Sequence, residues 1–475
     1  MNRYYKHILM LLSMLLVEQA RAQEVFTLEK CIEYALTNSM NSKNADIDKQ
    51  IADAKVKETI GMGLPQVNGT ASVIQNIKLR RFFTTYNPNG GFFDFSAVPG
   101  IQPGDVVSAQ NFFQLKANGD AGLSISQLLF NGSYLVGLQA SNAYKELSVK
   151  RAEQTQEQIV LSVTKAYYAV IINRERIGLF DTNIARVDSL LRNTKALNQN
   201  GFVEAIDVDR IQVALNNLTT EREKFESFNE LSMALLKFQM NYPLDQPMEV
   251  AGNIEHWEVP SVDDYDNGVD YKNRPDYKVM EVNYKLQQLN VKNRYAEGMP
   301  TLAAIANLGF ATQSADFAGL YKTKSAVIDN GSVGPDKWYG YSLIGATLNV
   351  PIFSGMSRTY RVKQEKLNLT KIENGMMAMK NGIDLEMKQA TITFQNGVKT
   401  LATQKANMEL ASNVARVTKI KYEQGVGSNF EVIDAENALK QAQVNYYNAL
   451  FDVMVAKTDL DKAHGKLFNP TSQPK

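Results

Sequence analysis

Apolar positions recur at heptad spacing through two stretches that contain no proline, between Pro103 and Pro243 and again between Pro351 and Pro470. Nothing forbids helix in either, and the pattern predicts helices of about 70 residues, roughly 100 Å at 1.5 Å per residue. The same strand-to-helix signature introduces both: Gln127-Leu128-Leu129-Phe130-Asn131-Gly132 and Val350-Pro351-Ile352-Phe353-Ser354-Gly355. Gly201 and Gly425 then break the stretches at equivalent points. Gly201-Phe202-Val203-Glu204 matches Gly425-Val426-Gly427-Ser428, and Val208, Ile211, Leu215, Leu218 and Phe225 fall in phase with Val432, Ala435, Leu439, Ala442 and Ala449. That is one 3-4 seam written twice. Upstream, Asn38 to Pro65 and Asn273 to Pro300 share a spacing, ending in Gly63-Leu64-Pro65 and Gly298-Met299-Pro300. The chain is an internal duplication, each half reading helix, strand, long loop, strand, very long helix, turn, returning helix.

Helices from about Asn38 to Met62 and Glu204 to Tyr242 are expected to sum to roughly 65 residues, close to the long helix from Ser133 to Asn200. The second half repeats this with Asn273 to Glu297 and Ser428 to Lys466 against Met356 to Gln424. Two short helices stacked end to end can therefore line one long one. Ile177, Phe180, Ile184, Val187 and Leu191 form a seam on the first long helix; Met408, Ala411, Ala415, Thr418 and Tyr422 form one on the second.

Around the loops the period changes to two. Val67, Ala71 and Val73 interleave with Asn68, Thr70 and Ser72, and Leu123 and Ile125 with Ser124 and Ser126. In the second half Ile344, Ala346, Leu348 and Val350 interleave with Gly345, Thr347 and Asn349, and Leu302, Ala304, Ala306, Leu308 and Phe310 make another apolar row. Such strands suit a membrane barrel wall around a wet lumen, or a half-buried soluble sheet. Phe82, Phe83, Phe92, Phe93, Phe112, Phe113, Trp338, Tyr339 and Tyr341 cluster near the loop ends as an interfacial girdle or a soluble cluster. Four strands cannot close a membrane barrel, for which about eight is the practical minimum, and open edges cannot face lipid. If these strands cross a membrane, copies must pool them, and three copies supply twelve.

Composition narrows the function. A formal net charge of +1 offers no electrostatic case for nucleic acid. One cysteine, Cys31, excludes an internal disulfide framework, and His7, His256 and His464 are too scattered for a zinc pattern. No His-Glu-x-x-His, Gly-x-Ser-x-Gly or phosphate-loop motif is present, so neither an enzyme nor a cofactor is expected. Residues 1–22 read as a secretory signal, with Arg3 and Lys6, the apolar run Ile8 to Val17 and Ala20-Arg21-Ala22 before Gln23. Cys31 follows Leu28-Glu29-Lys30 in an amphipathic pattern, which points to a buried helix residue and away from a lipid anchor.

In this order, and twice over, these features resemble the TolC-like outer-membrane efflux protein family. The resemblance rests on Phe26-Thr27-Leu28-Glu29-Lys30-Cys31-Ile32 with Ala35-Leu36, the Gly-apolar-Pro entries, the Phe-x-Gly exits, and the turns followed by Asp207-Val208 and Glu431-Val432. It implies a mainly α protein with a β-barrel part, two repeats, and four transmembrane strands per chain pooled in a homotrimeric twelve-stranded barrel. It further implies a periplasmic coiled-coil tunnel, a periplasmic membrane-fusion adaptor, and an inner-membrane pump of RND or ABC type. The division expected is 1–22 signal, 23–250 first repeat, 251–272 linker, 273–468 second repeat and 469–475 tail.

Carried over from the family, the adaptor-contact turns are Gly201, Phe202, Val203, Gly425, Val426, Gly427 and Ser428, and the pore constriction involves Asp207, Tyr422, Glu431 and Asp434. Three copies put three carboxylates at each level of a narrow mouth, an arrangement that favours cations. Asp207 and Glu431 equally suit the positive end of a helix, and Tyr422 occupies a seam position suited to packing. Three departures from the family pattern stand out: Leu128 stands where the second half has Pro351, so the first bend is expected to be set by Asn131-Gly132; Glu204 stands where the family commonly has a small or hydroxyl residue; and Gly427 stands where family members can carry arginine. A secreted coiled-coil stalk or adhesin is the competing class, distinguished by solubility without detergent.

Overall fold

The computed structural model of the chain describes residues 25–90, 93–110, 114–252, 254, 270–321, 327–329, 332–334 and 338–468. The expected signal segment, most of the 251–272 linker, the 469–475 tail, His7, His256, Phe92, Phe112 and Phe113 lie outside the described residues. In chain order the elements are β1 (Val25–Phe26), α1 (Leu28–Asn38), α2 (Met40–Gly61), β2 (Gln66–Gln75), β3 (Phe82–Thr85), β4 (Val106–Ala109), β5 (Ala117–Asn131), α3 (Gly132–Gln199) and α4 (Ala205–Met240). Then follow β6 (Glu249–Val250), α5 (Pro275–Ala296), β7 (Thr301–Ser314), β8 (Val327–Asp329), β9 (Ser332–Gly334), β10 (Tyr339–Asn349), α6 (Ser357–Glu423) and α7 (Asn429–Ala463).

The duplication is plain in the lengths. Helices of 22 and 36 residues accompany one of 68 in the first repeat, and helices of 22 and 35 accompany one of 67 in the second. The short pairs fall below the expected 65 because each of the four helices stops one to three residues inside its expected bounds at both ends; in the first repeat the start of α2 is set by Ser39. Ser39 turns extended (ψ 144°) and its hydroxyl accepts the Ser42 N–H at 3.3 Å, ending α1 and starting α2. A serine that caps the following helix thus sets the boundary close to the expected start at Asn38.

Two compact units cut across the repeats. One comprises Met1–Asp53, Ala143–Gln287 and Leu367–Lys475, the other Ala54–Asn142 and Gln288–Lys366. In the first unit the seams interlock: Phe180, Val187 and Leu191 of α3 are buried with Ile211 and Leu218 of α4 and Val432 of α7, and the Phe180 ring stacks on Phe225 at 5.2 Å. A larger core gathers Ile171 and Ile172 with Leu236, Phe394, Val453 and Leu460, and buries Cys31 of α1 completely. The N-terminal residues join it through β1, which pairs in parallel with β6.

The second unit holds a four-stranded antiparallel sheet in the order β10-β7-β5-β2. Its register sets Val67, Ile125, Ala306 and Ile344 in one row, and Asn68, Ser124, Asn307 and Leu343 in the next. Because side chains alternate faces, the apolar rows of all four strands share one side, and the other side is mostly small or polar. The aromatic residues divide between the faces. The Trp338 ring occupies the space that a Cβ on Gly119 would fill, on the apolar side. Tyr341 lies over Gly122 and Gly309 on the polar side and donates to Asp120 at 3.1 Å.

The strand-to-helix exits differ between repeats. β5 runs straight into α3, where Asn131 Oδ1 accepts the Tyr134 N–H at 2.8 Å and caps the new helix without a proline. After β10 the chain instead passes Pro351 and turns through Gly355 (φ +60°) and Met356 (φ +66°) before α6.

Candidate functional site

Both helix turns arise from the same local chemistry. Gly201 at the end of α3 has φ +73° and Gly425 at the end of α6 has φ +77°, left-handed backbone that disfavours any residue with a Cβ. The Gly201 N–H donates to Asn198 O at 2.9 Å and the Phe202 N–H to Leu197 O at 2.9 Å. Their counterparts Gly425 and Val426 donate to Tyr422 O at 2.9 Å and Lys421 O at 3.0 Å. Terminal carbonyls of both long helices are satisfied in this way, and a returning helix begins four residues after each glycine.

The starts of the returning helices are not equivalent. Ser428 Oγ accepts the Glu431 N–H at 3.2 Å, a side-chain cap for α7. Glu204 provides no such bond to α4, where the Asp207 N–H reaches only the Glu204 carbonyl at 3.1 Å. Asn198 braces this first turn by donating to Val203 O at 2.8 Å. In the second turn a Cβ on Gly427 would stand 3.0 Å from Tyr422 N, so a larger residue there requires the turn to open slightly.

One buried side chain joins the turns: Asn429, first residue of α7, donates through Nδ2 to Asp207 O at 3.0 Å. Asp207 is thereby held beside the start of α7, half-buried, with Arg210 at 3.7 Å. Glu431 and Asp434 are exposed on α7, and neither carboxylate has a partner among the described residues. Tyr422 is half-buried in the α3–α4–α7 cluster, and its hydroxyl lies 3.2 Å from that of the fully buried Thr194. Glu431 sits in the first turn of α7, where the helix dipole favours a negative charge; Asp434 lies beyond it.

The turns also present apolar surface. Phe202 and Val426 are 77% and 78% exposed, and Ile206 and Phe430, at equivalent places on the returning helices, are 51% and 63% exposed. Ile206 and Phe430 are absent from the sequence-derived set. They precede the seam residues Val208 and Val432 by two and so fall out of phase with it, which was the signal available. No group of three His, Cys, Asp or Glu side chains able to hold a metal occurs among the described residues, and no described helix is long and apolar enough to cross a membrane.

Comparison with solved structures shows which proteins share this fold. The Campylobacter jejuni CmeC outer membrane channel superposes with a TM-score of 0.68 at 18% identity, over 94% of this chain and 87% of that one. The open state of the Neisseria gonorrhoeae MtrE outer membrane channel gives 0.68 at 16%, over 93% and 89%, and CusC gives 0.70 at 14%, over 92% and 91%. The fold is that of the TolC-like outer-membrane channels. In sequence, residues 271–466 match the family model described as outer membrane efflux protein. Among curated relatives, the outer membrane protein TolC of Vibrio cholerae is 21% identical over 73% of this chain and 76% of its own length. The probable efflux pump outer membrane protein TtgC of Pseudomonas putida is 24% identical over 69% of this chain, which spans 64% of that relative's length.

Proposed function

We propose that the chain is the outer-membrane channel of a tripartite export system, passively conducting substrates from a periplasmic adaptor and an inner-membrane pump to the outside. The observation that carries this function is the sheet. Its four strands have 10, 15, 14 and 11 residues, long enough to cross a hydrocarbon core, and they present one apolar face. β2 and β10 end the sheet and run in opposite directions, so β10 of one copy can continue antiparallel onto β2 of the next. Three copies then close twelve strands without an edge, and the helices form the periplasmic tunnel.

Within this assembly the two turns make the periplasmic tip. Phe202, Val203 and Val426, with Ile206 and Phe430, offer the adaptor an apolar surface, on backbone shaped by Gly201, Gly425, Gly427 and Ser428. Glu431 and Asp434 supply the charge of the constriction; Asp207, beside Arg210, contributes less, and the Tyr422 ring packs the seam next to it. The pump is of RND or ABC type, and the channel itself carries out no catalysis.

The test is reconstitution of the purified protein into planar lipid bilayers. Discrete conductance steps with a preference for cations support the proposal. A protein that remains in solution without detergent and leaves the bilayer silent refutes it in favour of a coiled-coil stalk.

A further inference from the structure

Just beyond the strands, in the unit that carries the sheet, the structure holds a cavity of about 610 Å³ with a cationic lining. Arg358, Lys363 and Lys366 of α6 contribute three positive charges, and no carboxylate lines it. The nearest acids are engaged elsewhere: Glu297 pairs with Arg294 at 2.7 Å and with Arg361 at 3.6 Å, and Glu365 pairs with Arg294 at 3.2 Å. Neither Arg358 nor Lys363 has an acidic partner among the described residues. The first turn of α6, with Arg358 and Thr359 in the lining, adds the positive end of a long helix.

The site is built into the backbone around it. A Cβ on Gly298 would overlap the Arg358 guanidinium, so this glycine admits the arginine to its position. Lys366 Nζ lies 5.5 Å from the Tyr295 ring centroid, a cation–π contact on the wall. The fold does not demand these cations. Matching Tyr134 over Gly63 with Arg358 over Gly298 places Gln139 and Asn142 of the first repeat opposite Lys363 and Lys366. There the space above Gly63 is filled by the neutral Tyr134, whose hydroxyl donates to Ile60 O at 3.3 Å.

Its place fixes the chemistry. Thr301 pairs with Asn349 at the end of β7 and β10, and Gly298, three residues before Thr301, lies past that end with Arg358 packed over it. One step into the sheet, Leu302 and Leu348 form the last pair on the apolar face, and Ile352 and Phe353 of the connecting loop are 89% and 81% exposed. Exposed apolar residues thus lie within a few positions of the cationic pocket in both segments that line it. Given the outer-membrane placement proposed above, we propose that this pocket binds the headgroup of an anionic phospholipid of the periplasmic leaflet. Arg358, Lys363 and Lys366 take the phosphate, and the end of the sheet takes the chains.

The full-length protein, delipidated in a neutral detergent, is titrated with dioleoylphosphatidylglycerol or with dioleoylphosphatidylcholine, and retained lipid is counted by native mass spectrometry. Phosphatidylglycerol is expected to be retained in preference. The R358Q/K363Q/K366Q variant should weaken that retention by at least about tenfold, whereas substitution of Lys388 and Lys405 on the same helix should not. Gly298→Ala, which displaces Arg358 without changing charge, should weaken it too and serves if the triple variant does not fold. Equal retention of the two lipids, undiminished retention by both variants, or displacement by the same concentration of inorganic phosphate or glycerol 3-phosphate overturns the proposal. Protein that conducts in phosphatidylcholine bilayers yet shows no lipid preference defeats the pocket alone; protein that needs no detergent defeats the outer-membrane placement.

Discussion

Two buried groups behave unlike their exposed counterparts. Cys31 lies fully buried in α1, and burial, reinforced by Glu29, pushes its thiol up to about 12. A thiol that is both shielded and protonated does not react. Iodoacetamide at pH 8 should leave the native protein unmodified and add one carbamidomethyl group per chain after unfolding in guanidinium, as read by intact mass; labelling of the native protein would place Cys31 outside the core. Glu157 of α3 is 5% exposed, with Oε1 lacking a hydrogen-bond partner among the described residues. Arg274 is committed to Asp276 (2.7 Å) and Glu386 (2.8 Å), and Lys462 to Glu386 (3.0 Å). Burial, with Asp276 and Glu386 adding, therefore pushes the Glu157 carboxyl up to about 7 against the pull of Arg274 and Lys462. The folded chain holds this proton more tightly than the unfolded chain, so stability falls as pH rises from 4.5 to about 7 and stays reduced above it. Glu157→Gln should stabilise the protein at pH 8 by up to about 3 kcal/mol per chain and change little at pH 4. Denaturant melts at the two pH values check this, and an equal effect at both would exclude the titration.

Among the elements, the long helices and the faces of the strands were legible because each depends on periodicity alone. Every apolar strand residue named from alternation in β2, β5, β7 and β10 falls on one side of the sheet, and both glycine turns fall where the repeats align. What escaped depends on neighbours distant in sequence or on a single capping bond. Ser39 splits α1 from α2 through one hydroxyl, and Asn429 reaches a carbonyl 222 positions away. Tyr422 finds Thr194 across two helices, and the short pairs β3–β4 and β8–β9 arise inside loops that show no alternation. The positions of the two turns and of the acids after them follow from the repeat, whereas the exposed Ile206 and Phe430 lie out of phase with the seam and carry no periodic signal. On α7, Glu431 and Asp434 stand three apart on one face without cationic partners, while Asp207 has Arg210. Replacing Glu431 by Gln and Asp434 by Asn should reduce cation selectivity and weaken block by multivalent cations in planar-bilayer recordings, with Asp207→Asn the smaller effect. Unchanged selectivity in the double variant would return both acids to ordinary helix-end electrostatics.

For the whole molecule, the decisive fact is that the sheet ends. Among the described residues β2 and β10 each have one strand neighbour, which leaves one backbone edge of each, 10 and 11 residues long, without a strand partner. In hydrocarbon each unsatisfied group costs several kcal/mol, so a single copy cannot lie in a membrane with these edges open. The apolar face calls for lipid and the edges call for further copies; a closed ring of three satisfies both. The most direct measurement is the protein mass of the detergent-extracted particle by light scattering corrected for bound detergent. Three copies of the chain per particle are expected, at every protein concentration above the detection limit. A stable monomer that remains in solution after the detergent is withdrawn would contradict the channel.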